Sequence, residues 1–161
     1  MEAKPQKEHA WLQRLVGEWR AEMECRMGPD QPSMTSTGSE TVRSLGGLWT
    51  LGEGEGEAPD GTPVRSLMTL GYDPQKQRFV GTFVASMMTH LWSYDGTLDA
   101  SGEVLTLDTL GPSFSGDGRL VRYQDIIAWE GDDHRTLRSR AMGEDGGWGP
   151  YFVTAHYRRK R

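Results

Sequence analysis

Trp19-Arg20-Ala21-Glu22-Met23-Glu24-Cys25-Arg26-Met27 alternates apolar and charged side chains without a break. Successive side chains of an extended chain point to opposite faces. A period of two therefore puts Trp19, Ala21, Met23, Cys25 and Met27 on one face and Arg20, Glu22, Glu24 and Arg26 on the other. This predicts a strand with one sheltered and one wet face. Just before it, Ala10, Trp11, Leu12, Leu15 and Val16 fall at helical spacing between Lys7 and Val16, and Gly17 ends the pattern. So short a helix is not stable alone and must pack against something, for which the end of a barrel offers a natural place.

Downstream, turn signals recur at short, even spacing. Gly28-Pro29-Asp30 closes the first strand, and the polar stretch Gln31 to Thr37 reads as loop. Strands are expected over Ser39–Leu45, Leu48–Glu57, Val64–Tyr72, Arg78–Ala85 and Met87–Tyr94, and then, after a turn at Asp95-Gly96 and a further short segment, over Leu105–Leu110, Leu120–Trp129, Thr136–Met142 and Trp148–Arg158. Gly46-Gly47, Pro59-Asp60-Gly61, Asp73-Pro74-Gln75 and Gly131-Asp132-Asp133 mark intervening turns. No helical stretch separates any two strands, which excludes a parallel sheet. The expected fold is all-β: one domain spanning residues 1–161, a closed antiparallel up-and-down barrel of about ten strands with a short N-terminal helix. Closure removes exposed strand edges.

Composition bears on the inside of such a barrel. Hydrophobic residues are 35% of the 161, while glycines number 21. Mean hydropathy is −0.64. Bulky aliphatics are too few for a densely filled core, whereas a partly hollow, polar interior needs fewer of them. A net charge of −5 offers no bulk attraction to nucleic acid or anionic lipid. The run Arg158-Arg159-Lys160-Arg161 is a local basic exception and reads as a solvated end. One cysteine, Cys25, precludes an intrachain disulfide and suits a reducing compartment. No apolar run is long enough to span a membrane, and the polar first residues do not resemble a signal peptide, so a cytoplasmic location is expected.

Longer blocks carry a resemblance. They are Gly46-Gly47-Leu48-Trp49 with Leu51-Gly52-Glu53-Gly54-Glu55-Gly56-Glu57, the segment Arg65-Ser66-Leu67-Met68-Thr69-Leu70-Gly71-Tyr72-Asp73-Pro74, and Arg78-Phe79-Val80-Gly81-Thr82-Phe83 continuing to Ser86-Met87-Met88-Thr89-His90-Leu91-Trp92. Together they resemble domain-of-unknown-function family 1579, an uncharacterised, mostly bacterial group placed with the calycins. Gly17-Glu18-Trp19 is similar to the Gly-x-Trp that opens the first strand of lipocalins. There the indole packs under a basic residue of the last strand, a role the resemblance gives to Arg158 or Arg159. The resemblance implies a fold and no activity.

Candidate chemistry is sparse. If Trp19 points inward, a pocket is expected from Glu53 and Glu55, which share a face with Trp49 and Leu51, from the row Met88, His90, Trp92 and Tyr94, and from Met68, Tyr123 and Asp125. An inward carboxylate would need a cationic partner, and the alternative for Glu53, Glu55 and Glu57 is a solvated face. Arg138 and Arg140 share a face that reads as an exposed cationic stripe. Cys25 is expected inside. The four histidines lack metal-ligand spacing, so no metal and no cofactor are expected; His156 on a late strand, alone and without a haem-pocket pattern, is a weak signal for haem. The first functional expectation is a small, partly apolar ligand inside the barrel. The alternatives are an enzyme pairing His90 with Glu53 or Glu55 for proton transfer, and an interaction module, for a partner or for a homodimer, using exposed Ile126 or Val153.

Overall fold

The computed structural model describes residues 2–161. Helix α1 (Lys7–Gln13) precedes ten strands: β1 (Gly17–Cys25), β2 (Met34–Leu45), β3 (Trp49–Glu57), β4 (Pro63–Asp73), β5 (Arg78–Ala85), β6 (Trp92–Leu98), β7 (Val104–Pro112), β8 (Leu120–Gly131), β9 (His134–Ala141) and β10 (Val153–Arg159). Each strand pairs antiparallel with its sequence neighbours, and β1 pairs with β10, closing a calycin-like barrel.

Closure is fixed at one residue. Trp19 lies opposite Arg159 in the β1–β10 register, and the Arg159 guanidinium sits 4.2 Å above the indole. That guanidinium also donates to the carbonyls of Val16 (2.8 Å) and Arg14 (3.0 Å), tying α1 to the last strand. Gly17 makes the approach possible: a Cβ there would stand 2.5 Å from Arg159 Nη1. Arg158, one residue earlier, has the opposite parity and pairs with Glu22 outside the barrel.

α1 plugs this end. Trp11 and Leu12 are buried, with the Trp11 ring edge-on to Phe79 and Trp129. His9 Nδ1 accepts from the Gln6 amide, so Nε2 carries the proton and donates to the Tyr72 carbonyl. The core gathers here around Trp19, Val42, Leu70, Phe79, Leu105, Leu107, Ile127 and Trp129.

Three segments depart from expectation. Met34 to Thr37, expected as loop, extends β2 and pairs with Glu22–Cys25. Its inward residues are Met34 and Ser36, so no apolar stripe announced the strand. Asp95-Gly96, expected as a turn, lies within β6, where Gly96 fits beneath Leu107 and Phe79 with no room for a Cβ. The strand expected at Met87 begins only at Trp92, because residues 86–91 form the β5–β6 connection. The last strand likewise starts at Val153 rather than Trp148.

Candidate functional site

The far end, opposite α1, is a mouth framed by the connections 26–33, 58–62, 86–91, 113–119 and 142–152. Inside it the two walls differ. On β2, β3 and β4 the inward positions near the mouth are Ser36, Gly38, Gly54, Gly56 and Ser66, with Met34 and Val64 at the outermost level. On β6, β7 and β8 they are Trp92, Tyr94, Thr109, Tyr123 and Asp125. Met23, Met68 and Phe83 point inward between these walls, yet each is only half-buried.

The parity of β3 corrects the sequence reading. Gly52, Gly54 and Gly56 face the interior, while Glu53 and Glu55 point outward to Arg43 (2.6 Å) and Arg65 (3.9 Å). The apolar face assumed to mark the inside is an outer one: Trp49 lies across Gly71, where a Cβ would come within 2.3 Å of the ring. The corrected parity removes Glu53 and Glu55 from the interior.

His90 and Met88 leave the expected row because they sit in the connection before β6. His90 Nε2 is 2.9 Å from the Leu110 carbonyl, and its ring stands edge-on to Trp92 at 4.8 Å. It thus borders the mouth, away from either glutamate. Val153 faces inward, opposite Cys25, so it offers no outer patch; Ile126 is outward, beside Arg138. Cys25 is inward and half-buried, and burial pushes its thiol pKa up. His156 is on the outer face, its Nδ1 2.9 Å from His134 Nε2, and cannot reach a group held inside.

Met68, Trp92, Tyr94, Tyr123 and Asp125 do converge inside the barrel. Trp92 is edge-on to Tyr123 at 5.1 Å, and its ring fills the place a Gly111 side chain would take. The Tyr123 hydroxyl donates to the Pro112 carbonyl at 2.5 Å. Below them Asp125 accepts from the Tyr94 hydroxyl and from Ser139 Oγ, the latter at 2.5 Å. Burial raises the Asp125 pKa, and the two hydroxyls oppose that rise. The Tyr94 pKa is also raised, first by burial and then by the Asp125 charge.

Sequence reasoning missed the deeper polar layer. Arg135 is 3% exposed, ion-paired to Glu40, and lies 4.5 Å from the Trp19 ring and 4.2 Å from the Tyr157 ring. Its Nε, sealed from water, has no acceptor. Only register could have exposed this group: Glu40 sits among Ser, Thr and Gly, and Arg135 follows a turn.

Two concavities open on the outer surface: one of about 420 Å³ against Arg20, Glu22 and residues 158–161, and one of about 520 Å³ between α1 and the β6–β7 turn. Among the described residues no group of three or more His, Cys, Asp or Glu side chains is placed to hold a metal ion. No described helix is long and apolar enough to cross a membrane.

The family profile described as "Protein of unknown function (DUF1579)" matches residues 4–159. The chain belongs to the DUF1579 family. No curated protein matches it. This DUF1579 protein is similar in fold to Rv2717c from M. tuberculosis, at 13% identity and a TM-score of 0.66, over 98% of this chain and 100% of that one. It is also similar to the S-type phycobiliprotein lyase CPES from Guillardia theta, at 12% identity and a TM-score of 0.65, over 98% and 94% of the two chains. EF1p2_mFAP2b bound to DFHBI is similar at 15% identity and a TM-score of 0.50, over 94% and 98%. At these identities the likeness is one of fold.

Proposed function

We propose that this DUF1579 protein binds a small, mostly apolar molecule in the mouth half of its barrel. One observation carries the reading: Met23, Met68, Phe83 and Trp92 point into the barrel and still keep accessible surface, beside inward Ser36, Gly54, Gly56 and Ser66. A wall of small residues facing aromatic ones, with a few polar groups beneath, has the make-up of a ligand pocket. Exposed Met27, Met87, Leu91, Phe114 and Tyr151 at the rim would meet an apolar ligand on its way in. The complex of EF1p2_mFAP2b with DFHBI lends support, since a barrel of related form holds a guest. The single free thiol suits residence in the cytoplasm.

The test is a library of small aromatic and aliphatic compounds read by thermal shift and by quenching of tryptophan fluorescence. At least one class is expected to bind one-to-one and raise the melting temperature. Ser66→Trp, which fills the small-residue wall, should weaken that binding by about tenfold or more. Stabilisation by no compound, or binding indifferent to Ser66→Trp, would defeat the proposal.

A further inference from the structure

Charged groups inside the barrel are unequally served. Glu40 has Arg135, whose guanidinium is held between Trp19 and Tyr157. Asp125, the third inward residue of β8 from the mouth, has only hydroxyl partners, Tyr94 on β6 and Ser139 on β9. β7 presents Leu107 opposite it. From β10 the group within electrostatic reach is Tyr157, beyond which lies the Glu40–Arg135 pair. No cation is among the influences on Asp125. Its partners are donors only, so each carboxylate oxygen keeps a free lone pair. The residue points inward and is only half-buried, so part of its surface meets the interior. Toward the mouth stand the faces and edges of Trp92 and Tyr123.

A carboxylate withdrawn from water without a cation is costly, and the chain supplies none. We infer that the ligand supplies it: the molecule bound here carries a protonated amine, or an amidine-like nitrogen cation, at the end of an apolar body. The ammonium rests on Asp125, and the neighbouring aromatic rings add cation–π attraction. This rests on the cavity reading proposed above and adds a chemical class to it. It also predicts a direction with pH. Burial holds the Asp125 carboxyl pKa above its ordinary value. As pH falls through that raised value the carboxylate is neutralised, and the ammonium loses its counter-charge.

Three probes with one body decide it: 2-naphthylmethylamine, 2-naphthylmethanol and 2-naphthoate, titrated into the full chain by calorimetry at pH 7.5. The amine should bind about tenfold or more tightly than the alcohol, as expected for gaining a hydrogen bond to a charged partner. The carboxylate should bind most weakly. In Asp125→Asn the preference for the amine should vanish while the alcohol binds as before. Should that variant not fold, the unaltered chain still answers: amine affinity must fall on acidification, while alcohol affinity stays level. Equal binding of amine and alcohol, preference for the carboxylate, or an amine preference that survives Asp125→Asn overturns the inference and leaves the cavity reading standing. Failure of all three probes to bind overturns both.

Discussion

The two ends of this barrel are built from the same ten strands and solve opposite problems. At the helix end, Trp19, Leu12, Leu105 and Ile127 are almost wholly buried; aromatic rings of α1, β5 and β8 touch edge to face, and Trp19 of β1 is tilted against Trp129. At the mouth end, most inward positions of β2–β4 are glycine and serine, and Met27, Met87, Leu91 and Phe114 are exposed at the rim. The large buried side chains are thus gathered toward one end of the barrel axis. The difference teaches that a shortage of aliphatic residues need not mean a poor core; it can mean a core confined to half of the interior.

The contrast is open to attack by mutation. The heaviest loss is expected from Trp19→Ala, about 3–5 kcal/mol in denaturant unfolding, because it leaves a cavity under Arg159 and Arg135. Phe83→Ala, at the half-buried mouth, should cost no more than about 2 kcal/mol. Equal losses would erase the distinction between the ends.

Glu40→Leu should cost about 3 kcal/mol or more, because it strands the Arg135 guanidinium away from water, and the double variant Glu40→Leu/Arg135→Met should recover most of it. If the single and double variants unfold alike, the ion pair is not what holds that layer.

Next come the glycines. Gly81→Ala drives a methyl group to within 2.0 Å of the Thr69 carbonyl oxygen. A loss of about 1–3 kcal/mol is expected, since backbone must shift. Gly56→Ala meets nothing closer than 3.5 Å and should change stability by no more than about 0.5 kcal/mol. Chemical denaturation of the pair distinguishes a glycine required by the bend of the barrel from one that merely widens its mouth.

A subtler change concerns pH. The Asp125 carboxyl is raised in the folded chain by burial, so the fold binds its proton more tightly than the unfolded chain does. Its contribution is fully favourable below the ordinary aspartate value of about 3.9 and is lost as pH rises through the raised one. Asp125→Asn should therefore flatten the stability profile over that window, measured as unfolding midpoint against pH. An unchanged profile would mean that this carboxyl does not titrate differently in the two states.

The smallest effect belongs to the outer wall. Glu55→Ala should alter stability by no more than about 0.5 kcal/mol, because its contact with Arg65 is long and open to water.

Much of the architecture was readable from residue pattern, and the reasons for the misses are physical. β1 announces itself because one of its faces meets the packed core and the other meets water. The start of β2 is silent, since its inward Ser36 and Gly38 are not apolar, and at Gly38 the Glu55 carbonyl leaves no room for a Cβ. β3 misleads outright. Hydrophobicity reports shelter, and Trp49 finds shelter outside, on Gly71, while the interior calls for glycine. The same logic divides the site. Met68, Trp92, Tyr94, Tyr123 and Asp125 lie on strands whose parity the pattern gets right. Glu53 and Glu55 were assigned inward from the wrong face, and Glu40 and Arg135 emerge only when strands distant in sequence are laid together.

The clasp of Arg159 on the start of β1 also governs when the molecule can become whole. Its partner Val16 lies 143 residues earlier in the chain. During synthesis the first strand is made long before the strand that will seal its free side. Contacts between such remote segments form slowly. Until they do, β1 presents an unpaired edge, open to mispairing with another nascent chain.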